Sequence, residues 1–264
     1  MLIVQFTDTH VMAEGRLAYE RFDTHAMLAR AIDAICALDP VPDLALATGD
    51  MVDRGDPAEY ARLKALLDRL PMRLALIPGN HDARGHLSDA FKGSAIVGAG
   101  EFLHWVRDDL GPLRVIGLDS LTPGAVGGSL CDERLEWLDA TLANAPDRPT
   151  LVALHHPAFP TGIAHIERFP FPGADAFERV VARHRQIVRV VSGHLHRQML
   201  APFGGTIASV CPSTAYQFAL DWRAAAPAAW TDEAPGFQLH RWDGTRLITS
   251  TRAVGPFVET PLGH

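Results

Sequence analysis

Along the chain, apolar residues gather in short continuous runs. They stand at Leu2–Phe6, Leu44–Thr48, Arg73–Ile77, 113–118, 150–154 and 188–191, each bounded by turn residues. A run of this length reads as a strand buried on both faces. Between several of the runs the apolar period lengthens to that of a helix, at 22–38, 57–70, Asp132–Ala143 and 174–185. Pro57 suits a first helical turn with Asp56 as its cap, and Asp132, after Cys131, can cap the helix carrying Leu135, Leu138 and Leu142. Met27, Leu28, Ile32 and Ile35 fall at helical spacing and belong to the core. Strands alternating with such helices predict a layered α/β domain with helices on both sheet faces.

Beyond about residue 200 the character changes. Residues 204–211 and 236–254 read as strands, the latter turned at Asp243-Gly244-Thr245, while the Ala- and Pro-rich stretch 221–235 reads as irregular. The expected organisation is a core over 1–200 and a C-terminal extension over 201–264. That extension would complete a second sheet, cover a site or make an oligomer contact.

The chemistry stands at the carboxyl end of each apolar run. Leu2–Phe6 leads into Thr7-Asp8-Thr9-His10, and Leu44–Thr48 into Gly49-Asp50-Met51-Val52-Asp53-Arg54-Gly55. Arg73–Ile77 leads into Pro78-Gly79-Asn80-His81-Asp82, 150–154 into His155-His156-Pro157, and 188–191 into Ser192-Gly193-His194-Leu195-His196. The carboxyl ends of strands in an α/β sheet open onto the ligand crevice, so five strand ends deliver carboxylate, amide or imidazole to one edge. These donors suit Mn, Fe, Co or Zn better than Ca. In Asp8-x-His10 and His194-x-His196, residues two apart on extended chain would face the same way. Glycines before Asp50, Asn80 and His194 permit a sharp turn or a close backbone approach. Each motif alone has an ordinary reading as a cap, a turn or a buried histidine. Together Asp8, His10, Asp50, Asn80, His155, His194 and His196 offer too many donors for one tetrahedral ion and suit two cations sharing a carboxylate.

Composition narrows the alternatives. The chain has 264 residues, a net charge of −7, thirteen histidines and three scattered cysteines. The cysteines, Cys36, Cys131 and Cys211, form no metal-finger spacing or disulfide framework. No apolar stretch is long enough for a membrane helix and the N-terminal run is too short for a signal peptide, so a cytoplasmic protein is expected. The acidic balance speaks against an extended nucleic-acid track or binding to an anionic membrane. Ser120, Ser192 and Cys211 stand beside no base in a recognisable nucleophile motif. The glycine-rich 124–128 stretch reads as a flexible turn. His25, His86, His104, His184, His240 and His264 call for no special role.

The ordered set D-x-H, GD, GNHD, H-x-P and GHxH over residues 8–196 resembles the calcineurin-like metallophosphoesterase superfamily. It is most similar there to class III cyclic-nucleotide phosphodiesterases and bacterial glycerophosphodiesterases. The resemblance implies a four-layer α/β/β/α sandwich with a dinuclear centre at its edge. It implies that Asp8, His10 and His196 bind a first metal, that Asp50 bridges, and that Asn80, His155 and His194 bind a second. His81 would contact phosphate or protonate the leaving group, with Asn80 also at the substrate. His156 would support the site or touch substrate. GDMVDRG also resembles a protein-phosphatase motif in which the second Asp pairs with the catalytic His, so Asp53 would orient His81. Arg54, and His165 and Arg168 in the 159–172 segment, are further candidates for substrate contact.

The expected chemistry is attack of a metal-bound hydroxide on phosphorus with no phosphoenzyme, His81 acting as general acid. The substrate would be a small phosphodiester, a 3',5'-cyclic nucleotide or a glycerophosphodiester. The alternatives are a phosphomonoesterase, a protein phosphatase or a nuclease, and, with less support, a non-catalytic binding protein on the same fold. A homo-oligomer, dimer or larger, would use the tail after residue 200.

Overall fold

The computed structural model describes residues 1–258, 260 and 262, and His264 lies outside them. Each apolar run of the first half is a strand: β1 (Leu2–Phe6), β2 (Leu44–Thr48) and β3 (Arg73–Ile77). They run parallel in the order β1-β2-β3. Between and after them lie α1 (Thr24–Cys36), α2 (Pro57–Leu67) and α3 (Arg84–Phe91). The second half repeats the scheme with β4 (Trp105–Arg107), β5 (Arg114–Gly117), α4 (Asp132–Ala143), β6 (Thr150–Ala153), α5 (Ala174–Arg183) and β7 (Ile187–Ser192). It continues through β8 (Met199–Phe203), β9 (Thr206–Val210), β10 (Gln217–Phe218), β11 (Trp230–Thr231), β12 (Gly236–Trp242) and β13 (Leu247–Ala253).

One sheet has the order β13-β12-β1-β2-β3 and the other β4-β5-β6-β7-β9-β8, with β10 and β11 paired apart. The residues past 200 thus feed both sheets. The hairpin β12–β13 lies antiparallel beside β1, and β9 lies parallel beside β7.

The period of two sorts each strand into faces. Ile3, Leu44, Leu46, Ala75 and Ile77 meet Trp105, Val115, Leu151, Ala153 and Val191 between the sheets. Val4, Phe6, Ala45, Ala47 and Leu76 face outward against Leu28, Ile32, Leu63, Leu87 and Phe91 of α1, α2 and α3. Ile116, Val152 and Val190 pack against Leu135, Leu138, Phe177 and Val181 of α4 and α5. The result is four layers, α/β/β/α, with both sheets covered on both faces.

Helix ends differ from the pattern in instructive ways. Helix α1 begins at Thr24 because Asp23 caps it, its side chain accepting from the N–H of Ala26 at 3.0 Å. Phe22 pairs instead with Ala18. Cys131 is the N-cap of α4, and Asp132 sits inside the first turn, where its charge meets the helix dipole. Helices α2 and α5 stop at Leu67 and Arg183, short of 70 and 185. Among the described residues no helix is long and apolar enough to cross a membrane.

Candidate metal centre

The strand ends β1, β2, β3, β6 and β7 meet at one edge of the sandwich, and their loops continue the pairing past the strands. The Asp8 N–H donates to Gly49 O and the His10 N–H to Asp50 O, each at 3.0 Å; the Gly193 N–H donates to His155 O at 2.9 Å. Extended backbone is not what turns the two pairs inward. Asp8, His10, Asp50, His194 and His196 have φ of 51°, 42°, 51°, 72° and 48°, so each stands in the left-handed region. Such a residue costs about 1–3 kcal/mol and persists only where its surroundings over-determine it. Here they do: the His194 N–H donates to both oxygens of Asp8 at 3.1 and 2.9 Å, and the His81 N–H to Asp50 Oδ1 at 2.8 Å.

Two glycines make room. A Cβ on Gly49 would lie 2.4 Å from His155 Nδ1, and one on Gly193 would lie 2.0 Å from Thr7 Oγ1 and 2.7 Å from Asp8 Oδ2. Close approach is therefore the reason for glycine at 193. At Gly49, φ of 94° adds a second.

Asp8, His10 and His196 form one group whose ligand atoms lie within 4.8 Å of one another, and Asp8, Asp50 and His155 form another. His10 Nε2 is 2.9 Å from His196 Nε2, which is 3.4 Å from Asp8 Oδ1. Asp50 Oδ2 lies 3.8 Å from His10 Nε2 and 3.4 Å from His155 Nε2, between the two sets. Asn80 Oδ1 is 3.3 Å from His155 Nε2, and the His194 ring lies 5.2 Å from that of His155.

The outer nitrogens decide whether these groups fit a cation. His155 Nδ1 contacts Thr48 O at 2.8 Å and His196 Nδ1 contacts Tyr216 O at 2.8 Å. A carbonyl only accepts, so each Nδ1 carries the proton and each Nε2 presents a lone pair inward. Lone pairs, carboxylates and an amide oxygen converging in a buried space are the donor set of a divalent cation, and the residues fit one.

In the metal-free chain burial and the neighbouring charges set which groups hold a proton, and a cation would displace the one on His155 Nε2. Burial, with Asp50 nearby, lifts Asp8 to about 6 against the pull of His155. Burial also works against Asp50, but His155, His81 and His10 outweigh it and hold that carboxyl well below its usual range. His155 rises to about 9, because Asp50 and Asp8 overcome its burial. Burial, helped by His155, drops His194 to about 3; burial and His10 keep His196 neutral.

The residues expected around the ligands take less uniform places. His81 Nδ1 donates at 2.7 Å to Asp53, but to its backbone carbonyl. The Asp53 carboxylate instead faces His10 Nδ1 at 3.6 Å, and that nitrogen has no hydrogen-bond partner. His156 has both ring nitrogens engaged, Nδ1 with Ser120 Oγ at 2.8 Å and Nε2 with Val126 O at 3.2 Å. It has no nitrogen left for metal or substrate and fastens the 124–128 loop to the end of β6. Ser120, which has no base beside it in the sequence, has one in space, yet it is fully buried and is spent on His156. Arg54 and Arg168 are exposed. His165 is buried against Phe218, whose ring stacks on His196 at 4.6 Å.

Reading by strand ends missed one strand. The segment after β9 brings Ser213, whose Oγ donates to Asp8 O at 2.8 Å, and Tyr216, whose carbonyl holds His196. The same signal, an apolar run followed by Pro212-Ser213-Thr214, was present at 204–211.

The Calcineurin-like phosphoesterase family model matches residues 1–198. A probable glycerophosphodiester phosphodiesterase of Arcobacter nitrofigilis is 35% identical over 259 residues, 97% of this chain and 94% of its own. A 3',5'-cyclic adenosine monophosphate phosphodiesterase of Pseudomonas aeruginosa is 32% identical over 98% of this chain and 92% of its own. Among solved structures, a dimetal phosphatase from Danio rerio superposes with a TM-score of 0.68 at 15% identity, covering 97% of this chain and 96% of its own, a likeness of fold. With the strand-end motifs of β1, β2, β3, β6 and β7 all inside the matched span, the chain belongs to the calcineurin-like phosphoesterase family.

Proposed function

We propose that the chain hydrolyses small phosphodiesters at a centre of two divalent cations drawn from Mn, Fe, Co and Zn. One observation carries the reading: Asp50 stands between two sets of inward-facing imidazoles, 3.8 Å from His10 and 3.4 Å from His155. A carboxylate so placed belongs to both sets. Asp8, His10 and His196 would hold one cation and Asn80, His155 and His194 the other, with Asp50 shared. Bound there, two cations supply Lewis acidity toward phosphate oxygens and lower the pKa of water.

The chain's own contribution is orientation and proton management. His194 N–H and His81 N–H fix the two carboxylates, and backbone carbonyls fix the imidazole tautomers. His81 is anchored through Nδ1, which leaves Nε2 as the atom that gives a proton to the departing alkoxide. The diester preference draws on the relatives, whose names are of glycerophosphodiester and cyclic-nucleotide phosphodiesterases. The net charge of −7 supports a small substrate over a polynucleotide. Three free thiols, one of them exposed, suit the reducing cytoplasm.

The test is metal content of the purified chain together with turnover of bis-nitrophenyl phosphate, cyclic AMP, a glycerophosphodiester and nitrophenyl phosphate with each of the four metals. Two metals per chain and faster turnover of a diester are expected. A monoester outpacing every diester would sink the reading.

A further inference from the structure

We propose that Tyr60 and Asp82 are positioning residues for the second cation, a buried clamp that sets Asn80 against the shared carboxylate of Asp50. The proposal rests on the two-cation centre proposed for phosphodiester hydrolysis. It concerns two buried side chains outside the ligand set.

Asp82 follows Asn80 and His81 in the chain and is buried. Its Oδ2 accepts from Gly79 N–H at 2.9 Å and from Met51 N–H at 3.2 Å. Gly79 immediately precedes Asn80 and Met51 immediately follows Asp50, so a single oxygen ties the two ligand loops together. A return bond runs from His81 N–H to Asp50 Oδ1 at 2.8 Å. The loops approach closely, since a Cβ on Gly79 would lie 2.9 Å from Asp50 Cγ. Their spacing decides how far the Asn80 amide stands from the carboxylate with which it would share a cation.

The other oxygen, Oδ1, accepts from Tyr60 Oη at 2.9 Å, and Tyr60 Oη in turn accepts from Ala83 N–H at 3.0 Å. Tyr60 is fully buried on α2, within the core. A phenol held by a packed helix thus fixes the rotation of the Asp82 carboxylate, and with it the spacing of the loops. These four bonds run to the loops of Asp50 and Asn80 and not to those of Asp8, His10 and His196. Loosening the clamp should therefore weaken the second cation and spare the first. Hydrogen bonds that support metal ligands from outside are worth about 10–100-fold in metal affinity.

The experiment titrates chelator-treated protein with Mn and reads the free ion by electron spin resonance. The unaltered chain should bind two Mn. Tyr60→Phe keeps the ring in the core and removes only the hydroxyl, so its second dissociation constant should rise about tenfold while its first does not change. Asp82→Ala should shift the second constant further in the same sense. Leu67→Ala, a core deletion at the C-terminal end of α2, should leave both constants where they were. An unshifted second constant in Tyr60→Phe, equal weakening of both cations, or the same shift in Leu67→Ala overturns the clamp alone. Fewer than two Mn on the unaltered chain overturns the two-cation centre and the clamp with it. Two Mn bound with the expected shifts, but no turnover of bis-nitrophenyl phosphate, would overturn the diesterase reading and uphold the clamp.

Discussion

His81 is held at two points that leave one atom at liberty. Its N–H is bound by Asp50 Oδ1 at 2.8 Å, its Nδ1 by the Asp53 carbonyl at 2.7 Å, and its ring stands edge-on to His10 at 4.6 Å. An imidazole so anchored can deliver a proton only from Nε2. Replacing His81 with Ala should therefore slow hydrolysis of alkyl diesters by a factor of about 10²–10⁴ and slow nitrophenyl esters far less, because nitrophenolate leaves without a proton. Parallel rate measurements on both ester types decide it, and equal losses would assign the ring to phosphate binding instead. The identity of such residues was legible because side-chain type at a strand end is written in the sequence. Their partners were not. The motif pairs Asp53 with His81 through a carboxylate, whereas a carbonyl, which every residue possesses, makes the contact, and no sequence marks which carbonyl that will be.

At the scale of elements, α3 and the loop after β5 are bound by an ion pair that reaches toward the site. Arg84 donates from Nε and Nη2 to the two Asp119 oxygens at 2.6 and 2.9 Å, and from Nη2 to Leu121 O at 2.6 Å. Asp119 is fully buried and also accepts from the N–H groups of Leu103 and Leu121, each at 2.9 Å. The next residue, Ser120, holds His156, so the helix that comes after His81 is coupled to the support of the β6 histidines. Arg84→Ala leaves a buried carboxylate without its counter-ion and should cost about 3–5 kcal/mol. Adding Asp119→Asn removes that charge and should recover part of the loss. Urea unfolding midpoints of the two variants report it, and a double variant less stable than Arg84→Ala would refute the argument. Helix α3 itself was not legible: RGHLSDAF offers only Leu87 and Phe91 to the core and carries Gly85, so its helicity comes from packing against α2 rather than from pattern. The continuous apolar runs of β1, β2 and β3 were legible because burial on both faces leaves no polar residue to blur them, apart from Gln5 and the strand-end Thr48 and Arg73.

Across the whole molecule, layering could be read from alternation, but not which sheet the tail would join. Strand β12 pairs with β1 across almost the full length of the chain, and no local pattern encodes a partner that distant. What marks the junction is polar. Gln5 Nε2 donates to Thr48 Oγ1 at 2.9 Å within its own sheet and to Ser192 O at 3.0 Å in the other. Its Oε1 accepts from His240 Nε2 at 2.9 Å, while His240 Nδ1 meets Thr249 Oγ1 at 2.9 Å. His240, given no role from the sequence, thus anchors the residue that bolts the sheets together. Burial, with Arg189 adding its charge, lowers His240 to about 3. The unfolded chain binds this proton near pH 6.5 and the folded chain near 3, so the unfolded state carries the extra proton in between. The contribution is complete above pH 6.5 and is lost as pH falls below it, at about 1.4 kcal/mol per pH unit until the folded value is reached. His240→Gln cannot take up that proton. In chelator-treated protein, so that metal release plays no part, its unfolding free energy should fall less steeply than that of the unaltered chain between pH 6 and 4, by about that slope. Parallel acid limbs for the two proteins would mean that His240 titrates normally, and that the bolt between the sheets opens before the fold does.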